Sequence, residues 1–142
     1  ALFLSAGFLI DRMKTKNIDN FGGLWKQMPI FSVFFMVYCL GAISFPGTTG
    51  FIGEFLILLG AFKINFLISF IAAFGVILSA CYVLWLYNRV CFGNNNFKGI
   101  SDLNVQDMLI FLIFLLLIVI LGIYPNFLIS FYELSTNMLI IN

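Results

Sequence analysis

A single acid lies inside an apolar stretch, directly after a cluster of helix-breaking residues. Residues 45–55 read Phe-Pro-Gly-Thr-Thr-Gly-Phe-Ile-Gly-Glu-Phe. Pro46 lacks a backbone donor, and the glycines permit backbone angles that helices avoid. Thr48 and Thr49 can provide polar support, because their hydroxyls can satisfy backbone groups that a broken helix leaves free. Glu54 follows, and a carboxylate between long apolar runs is costly in a membrane and is usually functional.

The simplest chemistry that Glu54 can perform is to bind and release a proton. Discontinuous helices supply free backbone groups and helix-end dipoles at such ion sites. Two structural interpretations compete with this one. Glu54 could cap a half-helix that starts near Phe51, since acids favour that end of a helix, although a capping box needs Ser or Thr at position 51. It could instead form an ion pair with a Lys outside this chain.

Lys63 is a second candidate for proton transfer. It could continue a polar exit path from Glu54, or it could lie at the end of a helix and extend its ammonium group to water. Nine residues separate the two side chains, which is about 13 Å along a helix. Direct contact is therefore not expected, and the extended surface lysine is the favoured interpretation.

The composition is that of an integral membrane protein. The 142 residues are 63% hydrophobic and 9% charged, whereas soluble domains carry about 25% charged residues. No basic patch would suit a nucleic acid. The chain has no His, and its three Cys match no metal-binding spacing, so the sequence predicts no metal, haem or iron–sulfur site. We interpret the cysteines as buried structural thiols.

The apolar runs predict an all-α bundle of transmembrane helices with one discontinuous helix, broken within residues 46–51. We expect a single transmembrane helical segment over 1–142, divided into a helix end (1–10), two half-helices (29–45 and 51–62), two full helices (66–88 and 107–124) and an interfacial tail (126–142). The second half-helix is about 18 Å long. It is too short to cross a hydrocarbon core of about 30 Å, which favours one broken crossing.

Two further patterns bear on packing and topology. Small and hydroxyl residues recur on one side of the helix at 66–88, which is typical of a close helix–helix face: Ser69, Ala72, Gly75, Ser79 and Tyr82. Six of the seven basic residues lie in loops 11–28 and 89–106. A single broken crossing places both loops on one side, and the positive-inside rule assigns that side to the cytoplasm or matrix.

The segment at 45–55 closely resembles that of the NADH dehydrogenase subunit 4 family, which are antiporter-like subunits of respiratory complex I. The Gly-Glu-Phe placement is specific, because the related subunit 5 carries Lys at the corresponding position. Further matches follow in order along nearly the whole chain: Ala1-Leu2-Phe3-Leu4, Asp11-Arg12, Gly22-Gly23-Leu24, Met28-Pro29, Leu86-Tyr87-Asn88-Arg89, Phe92-Gly93 and Tyr124-Pro125.

The resemblance implies a fold of two inverted helical repeats, of which this chain is similar to the C-terminal part. It implies that Glu54 is the terminal proton-exchange residue, on the broken helix of the second repeat. The family's other proton carriers, on earlier helices, have no counterpart in this chain. NADH oxidation and ubiquinone reduction would belong to the whole complex. FMN, iron–sulfur clusters and ubiquinone are expected in other subunits, and no cofactor is expected in this chain.

The resemblance also implies partners and a location. The expected partners are the N-terminal part of the same subunit, neighbouring antiporter-like subunits, other membrane-arm subunits of complex I and membrane lipids. The expected location is the mitochondrial inner membrane, in preference to a bacterial plasma membrane. Two alternatives stay open: a subunit of a cation/proton antiporter or membrane-bound hydrogenase complex, and a structural membrane fragment without transport.

Overall fold

A computed structural model describes residues 1–93, 99–127 and 129–130 of the chain. Within these residues there are six α-helices and no strand: α1 (Leu2–Met13), α2 (Leu24–Gln27), α3 (Pro29–Ala42), α4 (Thr49–Ile64), α5 (Phe66–Cys91) and α6 (Val105–Ile123). A turn of 3-10 helix covers Ile18–Asn20. The longer helices lie within three residues of their predicted bounds. Most of the predicted tail at 126–142 lies outside the described residues.

Two of the helices, α5 and α6, are long and apolar enough to cross a membrane. Their 26 and 19 residues correspond to about 39 Å and 29 Å of helix. Large apolar side chains are exposed along both helices, including Ile71 and Leu117. Exposed apolar side chains along a membrane-length helix are expected where the surroundings are lipid or other membrane helices.

Helices α3 and α4 lie end to end along α5. The ring of Phe35 on α3 is centred 5.8 Å from that of Tyr87, near the end of α5. In contrast, Phe62 on α4 shares a groove with Ser69, near the start of α5. Residues 43–48, called the break below, separate the two half-helices. The arrangement is that of one discontinuous helix, although the break begins and ends three residues before the predicted 46–51.

The end of α3 is set by backbone hydrogen bonds and not by Pro46. The N–H of Phe45 donates to the Leu40 carbonyl at 3.0 Å, and the N–H of Ser44 donates to the Gly41 carbonyl at 3.3 Å. Ser44 has a φ of 59°. This is the Schellman motif, which places one left-handed residue just after a helix. The predicted helix end at residue 45 is therefore wrong, because the motif closes the helix before the proline is reached.

Aromatic rings form the core between α1, α3 and α6. Phe31 and Phe111 are fully buried, with ring centroids 5.8 Å apart. Phe8 of α1 stacks on Phe31 at 5.5 Å, and the Tyr38 hydroxyl donates to the Phe111 carbonyl at 2.6 Å. All four rings bury apolar area, and Tyr38 adds a hydrogen bond through its hydroxyl. This cluster packs α3 against α6, on the N-terminal side of the break.

The two polar loops lie at the same end of the bundle. The guanidinium of Arg12 donates to the carbonyl and hydroxyl of Ser101, at 2.5 Å and 2.6 Å, and forms an ion pair with Asp107 at 3.3 Å. Arg89 pairs with Asp19. These contacts join the end of α1 to the start of α6 and the loop before it, and the loop after α1 to the end of α5, as the single broken crossing predicts. Although Arg12 adjoins Asp11 in sequence, its ion-pair partner is Asp107, which the fold brings from α6.

Two predictions about α5 need correction or stay open. The packed face of α5 holds Ser69 and then Tyr87, whereas Gly75 and Tyr82 of the predicted small-residue face are exposed on this chain. The prediction that this face meets another helix therefore stays a prediction. Cys81 is exposed on the same helix, while the other two cysteines are buried. Two of the three thiols are buried as predicted, whereas Cys81 is exposed on this chain.

Candidate functional site

Thr48 forms two hydrogen bonds with another residue of the break. It precedes α4 with an extended backbone (φ −109°, ψ 159°). Its hydroxyl donates to the Phe45 carbonyl at 2.8 Å, and its N–H donates to the same oxygen at 3.0 Å. A threonine hydroxyl thus binds a carbonyl that a continuous helix would have paired. Thr49 opens α4, and its hydroxyl has no hydrogen-bond partner within the described residues.

Glu54 lies in the second turn of α4 and is half-buried. Its Oε2 atom is enclosed and makes no hydrogen bond with any described residue. Burying a polar atom without a partner is costly, and such atoms in a native fold call for an explanation. The capping interpretation fails, because α4 begins at Thr49 and has no acid in its first turn. Neither Thr48 nor Thr49 bonds to this oxygen of Glu54.

Lys63 lies in the last turn of α4, exposed, at the opposite end of the helix from the break. The nine residues between it and Glu54 place the two side chains about 13 Å apart along the axis. Within the described residues no ion pair joins them. The structure therefore does not bring the two candidate proton-transfer residues together.

Two glycines lie where the break meets its neighbours. A Cβ built on Gly50 would lie 2.7 Å from the Gly41 carbonyl oxygen and 2.9 Å from the Ser44 hydroxyl. A Cβ built on Gly122 of α6 would lie 2.6 Å from the Thr48 carbonyl carbon. Real side chains do not approach so closely, so both contacts require glycine. Sequence reasoning missed Gly122, whose only signal is a small residue in a long apolar helix.

No cofactor site stands out in the described part of the chain. No group of three or more His, Cys, Asp or Glu among those residues could hold a metal ion. Glu54 is also the only acid on the two half-helices. The chemistry that the arrangement can perform is therefore the binding of a proton, or of a small cation, at one carboxylate beside a helix break.

Residues 1–80 match the family model described as NADH:quinone oxidoreductase/Mrp antiporter, TM. This region contains the break and Glu54. The chain belongs to this family. Its curated relatives are similar over nearly the whole chain: NADH-ubiquinone oxidoreductase chain 4 of Marchantia polymorpha is 48% identical over 99% of this chain, and that of Arabidopsis thaliana is 46% identical over the same share. The chain spans 29% of the length of each.

Relatives in the family also come from bacteria. NADH-quinone oxidoreductase subunit M of Rhodobacter capsulatus is 44% identical over 89% of this chain and 25% of its own length. A chain in the structure titled respiratory complex I from Thermus thermophilus with bound NADH superposes with a TM-score of 0.82 at 32% identity. That match covers 88% of this chain and 27% of the other. The predicted fold class, an antiporter-like transmembrane bundle, is confirmed.

Proposed function

We propose that this chain forms part of a proton-translocating membrane subunit of NADH:quinone oxidoreductase, and that Glu54 carries a proton in it. The family match and the similarity to chains named subunit 4 and subunit M support the first part. The observation that carries the second part is the enclosed Oε2 of Glu54, which has no hydrogen-bond partner in the described chain. It lies one turn beyond the start of a half-helix, next to a break.

The role of Glu54 follows from the physics of a carboxylate out of water. An ionised carboxylate in such a place is stable only while a cation or a hydrogen-bond donor faces it, whereas a protonated one carries no charge. A group whose preferred state depends on what faces it can take up a proton in one arrangement and release it in another. The break gives such rearrangement a place to occur, because discontinuous helices form the ion sites of many transporters.

The remaining assignments follow from the similarity and complete the proposal. The chain takes no part in electron transfer, and FMN, iron–sulfur clusters and ubiquinone belong to other subunits of the complex. Its partners are the N-terminal part of the same subunit, neighbouring antiporter-like subunits and membrane lipids. It resides in an energy-coupling membrane, and we favour the mitochondrial inner membrane because the two most similar relatives described above are from plants.

The decisive variant is Glu54→Gln in the full-length subunit of an assembled complex. The amide keeps the shape of the side chain and removes its ability to titrate. We expect NADH-driven proton uptake into vesicles, per assembled complex, to fall by about tenfold or more, since proton-transfer groups typically contribute at least that much. Glu54→Asp should retain part of the activity. Native gels should show normal amounts of complex for both variants.

A matched control is Asp19→Asn, which removes a carboxylate from an exposed surface ion pair worth little. It should leave proton uptake unchanged. Normal uptake per assembled complex in the Glu54→Gln variant would end the proton-carrier proposal. If NADH-driven uptake stayed normal while sodium-driven proton exchange was lost, a cation/proton antiporter role would replace it. A loss of uptake that only tracked a loss of assembled complex would support a structural fragment.

A further inference from the structure

The last turn of α6 lies directly on the backbone of the break. A Cβ at Gly122 would lie 2.6 Å from the carbonyl carbon of Thr48 and 2.7 Å from its Cα, and still closer to the Gly47 carbonyl oxygen. All three atoms belong to the main chain, so no rotation of a side chain could relieve the contact. The backbone of α6 therefore touches the residue that immediately precedes α4.

A second contact holds the start of α4 against the end of α3. A Cβ at Gly50 would lie 2.7 Å from the Gly41 carbonyl oxygen, at the C-terminal end of α3. Farther along α4 the situation differs, because a Cβ at Gly53 or at Gly60 would meet nothing within 4 Å. The end of the break is thus held by α6 and the first turn of α4 by α3, and the helix beyond it is not confined in this way by the described residues.

Confinement of the first turn determines where the carboxylate lies. Glu54 follows Thr48 by six residues, about 9 Å along a rigid helix. A shift or tilt of the helix start is therefore passed on to the Glu54 side chain. Proton transfer is sensitive to such shifts, and a misplacement of about 1 Å by a remote mutation can lower a rate by about a hundredfold.

We propose that Gly122 of α6 is a positioning residue for Glu54. The lack of a side chain at position 122 lets α6 fix the backbone of the break, and the break in turn fixes the start of α4. This inference rests on the proposed function of Glu54 as a proton carrier. It assigns to α6 a part in proton transfer although α6 contributes no titratable group near the break.

Three glycine-to-alanine variants of the full-length subunit in the assembled complex form a graded test. Gly60→Ala adds a methyl group where nothing lies within 4 Å, and Gly41→Ala adds one at an ordinary 3.5 Å from Ile118. Gly122→Ala adds one that collides with main-chain atoms. We expect proton uptake per assembled complex to fall about tenfold or more in Gly122→Ala, and by less than about twofold in the other two.

A second readout reports on the Glu54 carboxyl itself. A hydrophobic carbodiimide modifies protonated carboxyl groups in membranes, and peptide mass spectrometry measures the rate at Glu54. We expect that rate to change by about threefold or more in Gly122→Ala, because the carboxyl is moved relative to its surroundings. The rate should stay at the wild-type value in Gly60→Ala. A merely structural role for Gly122 would lower the amount of complex and leave this rate unchanged.

Each outcome decides between the two proposals. If Gly122→Ala matched Gly60→Ala in proton uptake and in carbodiimide rate, the positioning proposal would be overturned. Failure of Gly122→Ala to assemble while Gly41→Ala assembles would also overturn it, because Gly122 would then be needed for folding. If Glu54→Gln pumped normally, the proton-carrier proposal would fail. A changed carbodiimide rate in Gly122→Ala would then still support the positional part.

Discussion

The N-terminus of α3 is capped by a side chain from a distant loop, and its removal should have a measurable local effect. The Asp102 carboxylate accepts the N–H groups of Ile30 at 2.9 Å and Phe31 at 3.2 Å, as well as its neighbour Leu103 at 2.8 Å. The residue that precedes α3, Met28, makes no side-chain cap. Asp102 therefore does from a distant position in the chain what a capping residue normally does from the position just before the helix.

The magnitude follows from these bonds. Loss of a helix cap costs about 0.5–2 kcal/mol, and loss of a negative charge near a helix N-terminus costs about 0.3–1 kcal/mol. Asp102→Ala should therefore weaken the first turn of α3 by roughly 2 kcal/mol. Since 1.4 kcal/mol is a factor of ten, amide hydrogen exchange at Ile30 and Phe31 should accelerate by roughly thirtyfold. Asp102→Asn keeps an acceptor but loses the charge, and neutral bonds are about half as strong, so roughly fivefold is expected.

Hydrogen–deuterium exchange of the assembled complex, followed by mass spectrometry of peptides that cover α3, measures this effect. Asp11→Ala is the matched control, because Asp11 is an exposed acid in the last turn of α1, at the same end of the bundle. Its removal should not change exchange in α3. Equal exchange at Ile30 and Phe31 in the Asp102→Ala and Asp11→Ala variants would refute the capping argument. Acceleration spread evenly over all helices would indicate general loosening instead.

Two further predictions concern the charged residues at the two ends of the bundle. Arg12→Lys should lower the thermal stability of the complex by about 1–2 kcal/mol. The reason is that one ammonium group cannot reach both Ser101 and Asp107, as the two guanidinium nitrogens do. A thermal inactivation midpoint equal to that of the wild type would contradict this prediction. Lys63→Gln should leave proton uptake per assembled complex within about twofold of wild type, because the side chain is exposed and far from Glu54. A loss of uptake as large as that in Glu54→Gln would place Lys63 on the exit path.

The sequence indicated the broken helix because its signals are local. Pro46 and the glycines around it interrupt an apolar run, and Glu54 is conspicuous as the acid that follows. The true end of α3 was harder to predict, since the left-handed position of its Schellman motif holds Ser44 and not the usual glycine. Serine rarely adopts the left-handed conformation, so its presence does not indicate the end of a helix. The break was therefore predicted three residues too late.

The contacts that hold the site come from far along the chain, and local patterns cannot reveal them. Asp102 caps a helix that begins at Pro29, and Gly122 touches Thr48. Nothing in the neighbouring sequence of either residue specifies its partner. Only the packing of α6 beside α3 brings them together, and that packing depends on the aromatic core around Phe111. The helices could thus be predicted from the periodicity of the sequence, whereas the long-range contacts of Asp102 and Gly122 could not.

The presence of a single acid on the two half-helices favours a proton over a larger cation at Glu54. Transporters that bind sodium at a broken helix coordinate it with unwound backbone carbonyls. Here the carbonyls of Cys39, Leu40 and Gly41 each accept an N–H from residues 43–45, and the Phe45 carbonyl accepts both donors of Thr48. Those oxygens already have partners. Among the side chains of the two half-helices, Glu54 holds the enclosed oxygen that has no described partner, its Oε2. A single carboxylate suits a proton better than an ion that needs several oxygen ligands.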